Sequence, residues 1–167
     1  MIRIGLGRDL HPLLPGRLFL LAGVELASDR GELGHSDGDV LAYAVIDAVL
    51  GAAALGDIGV LFPPSDPKWK DADSMELLRI AFGKVKEQGW HLVNLDCVIT
   101  CERPKIIPYR DQIRAALAAV LEVSPKAIFV KGKTAEGLGP IGEGAAVDAE
   151  AVCLLEKTVP DTNWRPN

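Results

Sequence analysis

With 167 residues, 49% of them hydrophobic and 25% charged, the chain can build one well-buried core; it is too short for two ordinary domains, and disorder is excluded for all but its ends. A net charge of -5 argues against a nucleic-acid partner, which would favour a basic face. No charged-then-apolar leader opens the sequence and no apolar stretch approaches the roughly 20 residues of a membrane span, so the expectation is no membrane partner and a cytoplasmic location.

Ile2, Ile4 and Leu6 alternate with Arg3 and Gly5, which predicts a strand with one apolar face, and Arg17 to Leu26 reads as a hairpin bent near Gly23. Asp37 to about Leu55 is the first helix, with Ser36 as its expected cap and Gly56 as its stop. Its Ala, Val, Leu and Ile content requires burial on most sides, and Asp39, Tyr43 and Asp47 interrupt that surface at spacings of four. This polar stripe either faces solvent or lines a site. Gly56 to Asp73 lacks periodicity and reads as a long loop, of the kind that usually carries function in a compact domain.

Asp73, with Glu76 three residues on, caps a second helix to about Gln88, which Gly89 ends. Val93, Leu95, Cys97 and Ile99 form the apolar face of the next strand. A third helix runs from about Pro108 to Leu121, with Ile113, Ala116, Leu117 and Val120 at core spacing. Ala127 to Lys131 is a short strand and Ala145 to Glu156 a last strand of period two. In that last strand Val147, Ala149, Ala151, Cys153 and Leu155 share one face, and Val152 and Leu154 lie on the other. Residues 158–167 hold two prolines and no pattern, and are expected to form a disordered tail after a domain spanning 1–157.

Several familiar motifs fail on inspection. Gly5-Leu6-Gly7 begins a dinucleotide fingerprint, but its third glycine position is Leu10 and no helix follows. Gly132-Lys133-Thr134 resembles the end of a P-loop, yet Ala127 replaces the leading glycine and Gly137, Gly139 and Pro140 cannot open the helix required. Cys97, Cys101 and Cys153 fit no zinc template and read as buried free thiols. His91 follows a helix stop and reads as a surface residue.

Two polar clusters and one glycine-rich segment remain. Asp9-Leu10-His11 on an extended segment places Asp9 and His11 on one side, as a zinc site needs, although a surface strand explains the same pattern. His35-Ser36-Asp37-Gly38-Asp39 is a second metal-capable cluster, or equally a turn with a helix cap. From Gly132 to Gly144 the backbone amides could approach phosphate oxygens without a Cβ in the way; Lys131 and Lys133 add charge, Thr134 a hydroxyl and Glu136 a carboxylate suited to magnesium. The competing reading of that segment is a hairpin between two strands.

These clusters, with Leu50 to Gly59, Leu61 to Pro67, Ala72-Asp73-Ser74, Arg103-Pro104-Lys105 and Lys133 to Leu138, stand in the order found in a known family. From Ile2 to Lys157 the chain resembles the 2-C-methyl-D-erythritol 2,4-cyclodiphosphate synthases, enzymes of non-mevalonate isoprenoid synthesis. The resemblance implies a single-domain α/β fold of α+β type, a mixed sheet covered by helices on one face, assembled as a homotrimer with its sheets around a three-fold axis. It also implies that 4-diphosphocytidyl-2-C-methyl-D-erythritol 2-phosphate is cyclised with release of CMP.

By the same resemblance Asp9 and His11 are zinc ligands, His35 and Thr134 position the transition state, and Glu136 contacts magnesium. Asp57, Ile58, Gly59 and Phe62, Pro63, Pro64, Ser65, Asp66 fall where the family holds the erythritol phosphate, and Asp9, Leu10, His11, His35 and Ser36 also touch substrate. Cys101 to Ile107, including Arg103, Pro104, Lys105, Ile106 and Ile107, form the cytosine pocket largely by backbone. Lys133, Thr134, Ala135 and Glu136 hold the diphosphate. The chain departs from the family at Tyr43, where the third zinc ligand is a histidine, and at Glu143, where an arginine meets the diphosphate; Lys131 or Lys133 would replace that cation. The alternative function is therefore an impaired homologue that binds cytidine nucleotide or an isoprenoid diphosphate; a third, unrelated reading is a metal-dependent hydrolase.

Overall fold

Strand β1, Ile2–Pro15, runs along the molecule with alternate residues on opposite faces. Its inward face starts with two glycines. A Cβ at Gly5 or Gly7 would lie 1.9 Å from the carbonyl oxygen of Ala48 or Ala44, so only glycine lets helix α1, Val40–Ala53, settle directly on the strand. Ile2, Ile4 and Leu6 therefore point away from the helix, and Ile4 remains 73% exposed.

The computed structural model describes residues 1–34 and 36–157; the expected role of His35 and the expected disorder of 158–167 lie outside those residues. The expected α+β architecture with a mixed sheet is present. Strands β4 (Arg30–Glu32), β1, β7 (Ala146–Lys157), β5 (Trp90–Thr100) and β6 (Ile128–Lys133) form one sheet in the order β4-β1-β7-β5-β6. Only β5 and β6 are parallel, and α4, Arg110–Leu121, makes their crossover. Helices α1, α3 (Ser74–Glu87) and α4 cover one face of the sheet. The apolar face of β7, Val147, Ala149, Ala151, Cys153 and Leu155, is fully buried beneath them. No helix among the described residues is long and apolar enough to cross a membrane.

The hairpin of β2 (Phe19–Leu21) and β3 (Val24–Leu26) forms where expected. Ala22 and Gly23 both have positive φ, 51 and 71, the tight turn that suits right-twisted strands. Several boundaries move. Helix α1 begins at Val40 with Asp39 as its cap, not at Asp37 with Ser36, because Asp39 Oδ1 accepts from Ala42 N at 2.9 Å while the Ser36 hydroxyl is engaged elsewhere. It ends at Ala53, with the left-handed Ala54 as its C-terminal cap, ahead of Gly56. The segment read as loop contains a short helix α2, Ile58–Leu61, and a 3-10 turn at Pro67–Trp69, each capped by an aspartate, Asp57 and Asp66.

Asp73 caps α3 as expected, accepting from Met75 N and Glu76 N. A register shift between Leu92 and Asn94 puts Leu92 in the core and turns Val93 outward, so Val93 leaves the apolar face assigned to it. Pro108 belongs to a 3-10 turn, Ile107–Tyr109, with α4 starting at Arg110, and the strand after it extends to Lys133. Gly132 to Gly144 is not a hairpin. Strands β6 and β7 are separated in the sheet by β5, and the connection contains the short helix α5, Gly139–Gly142. All three cysteines are buried free thiols and His91 is exposed, as expected.

Candidate active site

The period of two along β1 sends Asp9 and His11 inward together, toward the entry of α1, and sends Leu10 to the opposite face. Of the residues expected to touch substrate, Leu10 therefore points its side chain away from this pair. Asp9 Oδ1 accepts from Leu10 N at 2.9 Å, while Asp9 Oδ2 is buried without a hydrogen-bond partner 3.0 Å from His11 Nε2. His11 Nδ1 lies 2.6 Å from the Gly38 carbonyl, which accepts its proton and leaves Nε2 as the ring's lone-pair donor. An orphaned carboxylate oxygen and an imidazole nitrogen converging on one point suit a borderline divalent cation, so Asp9 and His11 fit zinc.

Burial works against a charge on His11, but the adjacent Asp9 carboxylate, with the Gly38 carbonyl and Asp39, outweighs it and raises the imidazole above its ordinary value.

Tyr43 packs T-shaped against the His11 ring, centroids 5.5 Å apart, so position 43 adjoins the pair. Its hydroxyl is engaged with Ser36 Oγ, which also reaches Ser74 Oγ at 3.0 Å, and Ser74 N donates to Asp37 Oδ2 at 3.1 Å. Burial raises the Tyr43 hydroxyl further above its ordinary value, keeping it a neutral phenol. Among the described residues no group of three His, Cys, Asp or Glu side chains forms a metal cluster.

The polar stripe on α1 turns inward. Asp39 is fully buried, caps the helix and accepts from Gly23 N at 2.7 Å through Oδ2; burial pushes it up to about 6. Asp47 accepts from Ile58 N at 2.8 Å and so pins the start of α2. One residue that sequence reasoning missed sits beside this centre. Glu32, 1% exposed, accepts from Val40 N at 3.1 Å through Oε2, its Oε1 has no partner, and burial followed by the charge of Asp39 pushes it up to about 10. A lone acid in Gly31-Glu32-Leu33 carries no local signal of burial. Ser74 was legible only as part of a motif.

The segment assigned to the erythritol end is split. Ile58, Gly59, Phe62 and Pro64 line a small, mostly apolar cavity of about 90 Å³ with Tyr43, Trp69 and Leu77, and Tyr43 joins it to the Asp9–His11 pair. Asp57 and Asp66 spend a carboxylate oxygen as caps, to Val60 N and Lys68 N, while Pro63 and Ser65 lie outside the cavity lining.

A second concavity, a cleft of about 290 Å³, is lined by Cys101, Glu102, Pro104, Lys105, Ile106, Ile107, Gly132, Lys133, Thr134 and Glu136. Parallel pairing of β5 with β6 explains the assembly, since it delivers the residues after Thr100 and those around Lys133 to the same end of the sheet. Thr134 Oγ1 donates to Glu136 Oε1. Arg103 does not line this cleft but two neighbouring cavities, one of which also holds the exposed Glu143 opposite Arg30. Lys131 is taken by Asp96 at 2.6 Å, which leaves Lys133 as the candidate for the missing arginine's charge. The cleft shares no residue with the cavity beside Tyr43.

A model of the YgbB family matches residues 2–156. The 2-C-methyl-D-erythritol 2,4-cyclodiphosphate synthase of Treponema denticola is 51% identical over 92% of the chain and 96% of its own length. That of Moorella thermoacetica is 53% identical over 92% of the chain and 94% of its own. A solved structure of such a synthase in a CDP-bound form is 40% identical and superposes with a TM-score of 0.85, covering 92% of this chain and 100% of that one. Sequence and fold agree across nearly the whole chain, which belongs to the YgbB family, the family of the 2-C-methyl-D-erythritol 2,4-cyclodiphosphate synthases.

Proposed function

We propose that the chain is a phosphorus-oxygen lyase that cyclises 4-diphosphocytidyl-2-C-methyl-D-erythritol 2-phosphate. An oxygen of the 2-phosphate attacks the β-phosphorus, the bond from that phosphorus to the oxygen bridging the α-phosphorus breaks, and CMP departs with the bridging oxygen and the electron pair. The observation that carries this reading is the cleft, where two separated stretches expected to hold the cytidine diphosphate, 101–107 and 132–136, come together around Lys105, Lys133 and Thr134. A relative of the same fold carries CDP.

Two anionic phosphates must be brought together, so the task is positioning and charge neutralisation. Lys105 and Lys133 supply cationic charge at the cytidine end, the Thr134 hydroxyl donates to a phosphate oxygen, and His35 is assigned with Thr134 to holding the transition state. Asp9 and His11 would hold zinc and Glu136 magnesium; such cations, when bound, offset phosphate charge and polarise the phosphoryl group.

The two concavities are proposed to meet across a subunit boundary, the erythritol cavity of one copy beside the cytidine cleft of the next, in a homotrimer. The sheet face away from the helices supports this: Ile2, Ile4, Leu6, Leu10 and Val152 are all exposed on it. Contiguous apolar surface of that kind marks an interface. In its midst Arg8 pairs with Asp148 at 2.8 Å, a charge already partnered before burial. Light scattering should give a mass near three times 17.8 kDa; a monomer at all concentrations would remove the shared site.

The test of the activity is CMP release, with the cyclic diphosphate followed by phosphorus NMR, in saturating zinc and magnesium. Turnover supports the reading. The engaged, neutral Tyr43 hydroxyl favours a second one, an impaired homologue that binds the nucleotide; CDP binding without any CMP release would establish it and overturn the first.

A further inference from the structure

Glu102 is the one carboxylate in the cytidine cleft for which the proposed chemistry has no use. Leaving β5 just after Thr100, it reaches across to the loop that follows β6, where its Oε1 accepts from Ala135 N at 2.8 Å and from Gly137 N at 3.4 Å. Those two amides converge because Glu136 between them is left-handed, at φ 52, a conformation that a non-glycine residue rarely adopts unless its surroundings hold it there. Amides spaced in this way form a cup for an anionic oxygen. Here the anion is supplied by the protein itself.

The loop so gripped carries Thr134 and Glu136, and the first donates a hydrogen bond to the second. The geometry points to Glu102 as a positioning residue, whose carboxylate fills the amide cup of residues 135–137 and thereby aims the Thr134 hydroxyl and the Glu136 carboxylate at the diphosphate. The amides at 135 and 137 are then not phosphate ligands. The glycine-rich loop meets its substrate through side chains held from behind, and Glu102 fixes their direction.

This assignment rests on the proposed cyclase reading, so its test includes a measurement independent of turnover. In Glu102→Ala, backbone hydrogen exchange at residues 135–137 should quicken by about tenfold or more with the melting temperature little changed, since only a local anchor is lost. CDP affinity in magnesium should fall by about fivefold or more, against less than about twofold without magnesium, because Glu136 is no longer aimed. Glu102→Gln, which keeps an acceptor oxygen, should restore most of both.

In CMP release, kcat should follow the same order, with Glu102→Gln close to the parent and Glu102→Ala at least about tenfold below it. Unchanged exchange at 135–137 in Glu102→Ala would overturn the assignment. So would tighter CDP binding by that variant, which would make the carboxylate a placeholder that phosphate displaces. If the parent protein binds CDP but releases no CMP, the cyclase reading fails by itself, and exchange with CDP affinity still decide the role of Glu102.

Discussion

Tyr43→His should bring bound zinc toward one per chain and raise CMP release at limiting zinc by about tenfold or more. Position 43 packs T-shaped against the His11 ring, whose Nε2 lies 3.0 Å from Asp9 Oδ2. A catalytic zinc normally keeps three protein ligands, and among the described residues no three His, Cys, Asp or Glu side chains come together to hold one. The tyrosine hydroxyl cannot easily become the third. It is engaged with Ser36, and burial raises it, so the phenolate needed for ligation is disfavoured.

The same variant should change the response to pH. His11 is raised above its ordinary value, so protons compete with zinc for Nε2, and zinc affinity declines as pH falls below that raised value. With two protein ligands the loss should start at higher pH than with three. Bound zinc and CMP release, measured together in both proteins from pH 5 to 8, decide the matter. Equal zinc and equal rates would mean that Tyr43 ligates after all or is irrelevant.

Glu32→Gln should stabilise the metal-free protein at neutral pH by about 3 kcal/mol and flatten its stability against pH. The folded chain holds the Glu32 proton up to about pH 10, whereas a glutamate in the unfolded chain loses it near its ordinary value of 4.5. Between these values the unfolded state releases a proton that the folded state retains, so stability is highest below the lower value and declines as pH rises toward the upper one. From pH 5 to 8 that decline amounts to about 4 kcal/mol for this one group. Glutamine has no proton to lose in the unfolded chain and keeps an acceptor for Val40 N.

Asp39, pushed up to about 6, contributes a decline of the same sign below neutrality, but it is present in both proteins and cancels in the difference. Urea unfolding in chelator at pH 5 and pH 8 gives the comparison. Parallel losses in the two proteins would show that Glu32 ionises normally.

Where side-chain direction alone was at stake, local periodicity sufficed. Alternation along β1 correctly put Asp9 and His11 on one side, and the all-round apolar content of α1 required the burial it has, with Val40, Leu41, Val45 and Ile46 fully covered. Asp73 as the cap of α3 and the turn at Ala22-Gly23 were legible for the same reason: each signal spans no more than four residues, and each is settled by the backbone geometry of the segment itself.

What only the tertiary structure decided is who answers whom across the chain. Two polar residues, Ser36 and Asp39, could both cap α1 by local rules, and the choice fell to Asp39 because Ser36 finds Tyr43 and Ser74, the latter 38 residues away. The outward face of β1 is as apolar as any core strand. Nothing in its alternation reveals that the helix lies on the glycine side, which close approach of the α1 backbone dictates. Glu32 and Glu102 were silent in the sequence because a carboxylate's chemistry is set by its surroundings. One is buried against Val40 N and forced to keep its proton, while the other reaches amides 33 and 35 residues further on. Periodicity encodes which way a side chain points, but the packing of distant segments determines what it meets there.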